Sequence, residues 1–137
     1  MSDIVHERHR ELAKGLHVFE SRPPNGFGRR MTVVELGGGK LAVHHPIDLD
    51  EPGRLDALGQ VELILVPNAF HTVEVGVLAQ RYPGAKVAAS KNLEAKLKGL
   101  GARLDLSYET WPSDWSAQLG CVFLEGTRFD EAVFFHV

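Results

Sequence analysis

The stretch VELILVP, residues 61–67, places the tightest constraint on how this chain can fold. Its run Leu63–Val66 is continuously apolar instead of alternating with polar side chains, so the strand needs cover on both faces and belongs in the centre of a sheet. The next segment, NAFHTVEVGVLAQRYPG, changes to helical spacing, with Val73, Val77 and Leu78 on a stripe and Val75 off it, closed by Pro83 and Gly84. AKVAAS then reads as a second short buried strand. KNLEAKLKGLG reads as an amphipathic helix carrying Leu93, Leu97 and Leu100, stopped by Gly101.

Upstream, RMTVVEL and KLAVHHP flank Gly37, Gly38 and Gly39, which supply the positive φ values of a tight connection, so a β-hairpin is predicted. LHVFES (16–21) alternates as a half-buried strand does, and RPPNGFG breaks it into a loop. Residues 3–14 are read as a short polar helix ending at Gly15, and DLDEPGRLDALG as a loop and short helix with Asp50 and Glu51 at its start. Beyond residue 102 the periodicity weakens to a loop with a strand fragment, followed by two strands, CVFLEG and AVFFHV. The order is an α/β (α+β) one, in a single domain of 137 residues.

Composition removes several functions. A net charge of -3, from 15 basic and 18 acidic residues spread along the chain, marks no basic face for nucleic acid or anionic lipid. No apolar run approaches the roughly 20 residues of a membrane-spanning helix. The charged N-terminal stretch lacks the apolar segment of a secretory signal, so a cytoplasmic location is expected. Cys121 is the one cysteine and cannot close an internal disulfide; its apolar neighbours suggest a buried strand thiol.

Seven histidines raise a metal hypothesis, because imidazole is a common ligand for zinc and other transition metals. His6 and His9 fall in the polar N-terminal stretch and are read as solvent-exposed; His17 is read as structural. His44 and His45 are neighbours on a strand, so only one is expected to face any given site. His71 stands where the central strand ends and a helix opens, a place where α/β sheets gather ligands. Glu74, three residues on, is expected on the same helix face as an oxygen ligand or general base, or else as a first-turn carboxylate favoured by the helix dipole. Asn68, Trp111 and Trp115 are candidate pocket residues, with anchoring of a long loop on the core the favoured role of the tryptophans. GGGK lacks the remainder of a phosphate-binding loop, and there is no G-x-S-x-G, C-x-x-C or H-E-x-x-H.

Taken together, HVFE, MTVVELGGGKLAVHHPID, LGQVELILVPNAFHTVEVGVLAQRYPGAKVAAS and DEAVFFHV resemble the metallo-β-lactamase-like superfamily, from about residue 16 onward. More closely, the chain is similar to a degenerate branch carrying PN-x-FH in place of the metal motif. The resemblance implies a half sandwich, a mixed β-sheet with helices packed on one face. Active members carry H-x-H-x-D-H with a glycine two residues later. With Gly76 on that glycine, Ala69, His71, Val73 and Glu74 occupy the ligand positions, and only His71 matches. The resemblance therefore implies loss of the usual dinuclear site and a non-catalytic or ligand-binding protein with no cofactor.

The alternative is a metal-dependent hydrolase using zinc or another divalent transition metal, with His71, Glu74 and one of His44, His45 or His136 as ligands, completed across a dimer. A weaker alternative is an interaction module using an exposed edge strand. The apolar strand Val133, Phe134, Phe135 and Val137 is expected to pair with a second copy, or to mark a shortened version of a longer fold. A homodimer is the expected assembly, with a small-molecule ligand whose identity is open.

Overall fold

The computed structural model describes residues 6–22, 28–111, 119–123 and 131–136, with the backbone alone at 6, 122, 123, 135 and 136. Seven strands lie in one sheet in chain order: β1 (His6–Ala13), β2 (Leu16–Arg22), β3 (Arg29–Glu35), β4 (Lys40–His44), β5 (Gln60–Leu65), β6 (Lys86–Ala89) and β7 (Leu106–Ser107). The first four pair antiparallel and β4 to β7 pair parallel, as the mixed sheet requires. The β3–β4 hairpin is as expected, with Gly37, Gly38 and Gly39 all at positive φ.

Three helices, α1 (Gly53–Asp56), α2 (Val75–Arg81) and α3 (Glu94–Gly99), make the parallel crossovers. Because β4 to β7 advance in one direction, right-handed crossovers put all three on the same face of the sheet. The central run behaves as its composition demands: Leu63, Ile64, Leu65 and Val66 are at most 1% exposed. Burying each such side chain contributes roughly 1.5–3 kcal/mol.

The opposite face is set by strand alternation. Arg30, Thr32 and Val34 of β3 point to one side, and register places Leu16 of β2 opposite Val34, and His44 of β4 between Thr32 and Leu65. A separate antiparallel ribbon, β8 (Leu119–Phe123) with β9 (Ala132–His136), sits over this face. It is seated by Ala132 N–H donating to the Pro67 carbonyl (2.9 Å), and by Trp111 Nε1–H donating to the Leu119 carbonyl (3.1 Å). Phe134 meets His44, Tyr108 and Trp111 edge-on.

Two local expectations fail for stated reasons. Residues 6–13 are a strand, not a helix. Lys14 and Gly15 turn the chain so that β1 pairs along β2, where Arg10 reaches Glu20 (2.7 Å) and His9 stacks on Phe19 (4.4 Å). These cross-strand contacts outweigh a helical preference that had few apolar anchors. His9 is accordingly half-buried rather than free in solvent.

Helix α2 begins only at Val75, so of the predicted stripe Leu78 is buried while Val73, in the preceding turn, is 77% exposed and Val77 is at the surface; Val75 and Gly76 turn inward beside Leu78. Gly76 is obligatory there, since a Cβ would overlap the carbonyl oxygen of Leu100. The helix of 91–101 opens as a 3-10 turn at Lys91–Leu93, buries Leu93 and Leu97, and leaves Leu100 at the surface. Part of the RPPNGFG loop, positions 23–27, lies outside the described residues.

Candidate functional site: a histidine cavity at the strand ends

Strands β4 and β5 end side by side. After Pro67 the chain turns on Asn68, whose buried Oδ1 accepts from the N–H groups of Phe70 (2.9 Å) and His71 (3.1 Å). This local side-chain cap holds the turn from which His71 projects. Asn68 also lines the cavity described below, but its oxygen is committed to the backbone.

Just past the end of the neighbouring β4, His45 takes φ 57°, the left-handed region, while its N–H still reaches the Leu65 carbonyl (3.2 Å). Non-glycine residues seldom adopt this conformation. It breaks the alternation of β4, so His44 and His45 both line the same cavity, contrary to the expectation that only one could. The ring of His45 lies 4.1 Å from that of His71, tilted by 35°.

The cavity has a volume of about 590 Å³ and lies between the sheet face and the β8–β9 ribbon. Leu16, Val34, Leu65, Leu119 and Phe134 supply an apolar wall, and Arg30, His44, His45 and His71 the polar side. Burial, reinforced by the charges of His45 and His71, pushes the His44 imidazole down to about 4. Burial followed by His71 also lowers His45, against a raising hydrogen bond to the Arg30 backbone. Both rings are therefore neutral near pH 7 and can offer an N–H and a lone pair apiece.

Glu74 does not join this group. It stands just before α2, so it shares no helix face with His71. Its carboxylate accepts from the Arg29 guanidinium and from the Asp48 N–H, although it and His71 both border a smaller cleft of about 270 Å³. Trp111 packs against Tyr108 and Phe134 and anchors β8, the structural role; Trp115 lies outside the described residues. His136 is described as backbone, paired with Leu119.

A dinuclear metal centre does not fit these residues. Ala69 and Val73 bring no donor side chain, Glu74 is held by Arg29, and three clustered histidines are too few for two ions. Among the described residues, the one group of three potential ligands with all ligand atoms within 4.8 Å lies elsewhere: Glu11, His17 and Glu35. Sequence reading passes over it because it depends on β1 being a strand, whose register sets Glu11 opposite His17.

Known structures with the same architecture identify the fold. The DIM-1 metallo-β-lactamase, in a crystal exposed to ceftazidime, superposes with a TM-score of 0.69 at 14% identity, covering 98% of this chain and 67% of that one. The mono-zinc form of the metallo-β-lactamase FIM-1 from Pseudomonas aeruginosa gives 0.67 at 16% identity, covering 98% and 66%. A fragment described as diflavin flavoprotein A 5 from Nostoc sp. PCC 7120 gives 0.68 at 11% identity, covering 97% and 63%.

The chain has the metallo-β-lactamase-like fold, as its resemblance implied, and spans about two thirds of the length of these structures. Scans against protein-family models and curated proteins gave no match. No helix among the described residues is long and apolar enough to cross a membrane.

Proposed function

We propose that this chain is a small-molecule binding protein on a metallo-β-lactamase-like frame, rather than a dinuclear metallohydrolase. One observation carries the reading: the strand-end cavity persists, with His44, His45 and His71 on its polar side, while Ala69 and Val73 carry no ligand atoms and Glu74 is spent on Arg29. A cavity of this size, mostly apolar with a few convergent polar groups, suits a small organic ligand. Its ligand has an apolar body against Leu65 and Phe134 and a polar end accepting from His45, His71 or Arg30.

A second reading, a mononuclear metal-dependent hydrolase, is favoured by the 4.1 Å approach of His45 and His71 and needs a third ligand to be brought in. Elemental analysis of tag-free protein, paired with ligand-observed NMR against a fragment library, separates the two. Fragments displaced by His71→Ala, with metal content unchanged by that substitution, support the binding reading. Stoichiometric metal lost in His71→Ala, with hydrolysis of simple esters or lactones, would overturn it. Pairing of the β8–β9 ribbon with a second copy is the proposed route to a dimer, and sedimentation at micromolar concentration tests it; a strict monomer removes it.

A further inference from the structure

We propose that Glu11, His17 and Glu35 form a divalent transition-metal site, best matched to zinc, on the sheet face opposite the histidine cavity. Leu16 faces the cavity, so its neighbour His17 faces away, and register sets Glu11 directly across from it. Glu35 follows Val33, the β3 partner of His17, by two residues and shares that face. His17 Nε2 lies 2.7 Å from Glu35 Oε2 and 3.5 Å from Glu11 Oε2.

One ring nitrogen carries at most one hydrogen, so it can serve one of these carboxylates by hydrogen bonding and not both. A cation accepts all three lone pairs. Tetrahedral zinc with bonds near 2.0–2.1 Å sets its donors about 3.3 Å apart. The Glu11 spacing already agrees, and Glu35 needs to open by well under an ångström. The carboxylates are 54% and 45% exposed while the imidazole is 5% exposed, giving a fixed nitrogen, two adjustable oxygens and a path in from solvent.

The surroundings supply the usual supporting contact. His9 Nε2 lies 3.0 Å from His17 Nδ1 and is itself held by stacking on Phe19. With metal on Nε2, Nδ1–H donates to His9, fixing the tautomer and ring orientation as outer contacts of metal-bound histidines do.

The test is titration of zinc into tag-free full-length protein against a chromogenic chelator, with thermal melts alongside. Expected are one zinc per chain, a rise in melting temperature with zinc as binding to the folded state requires, and affinity at least about tenfold weaker in both Glu11→Gln and Glu35→Gln. His71→Ala should bind zinc as wild type does. Both glutamates are surface-exposed and their glutamine variants keep the packing, so folding is preserved. No saturable binding to wild type, a glutamine variant that binds as wild type, or loss only in His71→Ala would each overturn the site.

Discussion

Acid should weaken this fold through His44. Its imidazole sits at the sheet face under Phe134, and burial together with His45 and His71 holds it at about 4 against an ordinary 6.5. The folded state thus binds this proton less tightly than the unfolded chain. His44 costs nothing well above the unfolded value, and a growing amount as pH falls from 6.5 toward 4. Complete, that difference corresponds to about 3 kcal/mol, and at about pH 5 to about 2 kcal/mol. His45, also lowered, adds in the same direction. Urea unfolding of wild type and His44→Phe, which keeps an aromatic ring in the slot but cannot titrate, isolates the contribution. The variant should lose about 2 kcal/mol less than wild type between about pH 7 and pH 5. Equal losses would refute the reasoning.

Gly76→Ala gains about 1 kcal/mol of helix propensity, yet its Cβ meets the Leu100 carbonyl, a backbone atom that cannot rotate away. A net loss of about 2 kcal/mol or more is expected in a thermal melt. Tyr108→Phe removes a buried hydrogen bond to the Ala88 carbonyl, which keeps a second donor in Val66 N–H; the cost should be near 1 kcal/mol by urea unfolding. Asn68→Ala removes the acceptor for two N–H groups and should cost about 1–2 kcal/mol, with the largest amide shift changes at Phe70 and His71. Burial, then the charge of Glu109, pushes the Cys121 thiol up to about 12, so iodoacetamide should label it much more slowly in native protein than in urea.

How far the sequence could be read follows the range of the forces involved. VELILVP, the glycine hairpin and the buried pair Leu93 and Leu97 announce themselves because their signals are local: continuous apolarity, positive φ and helical spacing. β1 does not, since its stability resides in partners on β2 up to 16 residues away, such as Arg22 opposite His6. The candidate site was partly legible. The junction at His71 is where the cavity lies, but the left-handed turn at His45 leaves no mark on a non-glycine sequence, and it brings His44 and His45 to one side. The capture of Glu74 by Arg29, 45 residues earlier, is equally invisible to spacing. The Glu11, His17 and Glu35 group needed two strand registers at once.

The two ends of the seven-stranded sheet differ from its interior in a way that bears on self-association. β1 is rich in charge, with Glu7, Arg8, Arg10 and Glu11, and β7 is only two residues long, so among the described residues neither end strand is a long apolar template for another chain. The ribbon lacks that protection: Val133 is 49% exposed on a strand with one partner among the described residues. If two ribbons pair as proposed above, that contact saturates with the second copy, whereas growth along sheet edges would be open-ended.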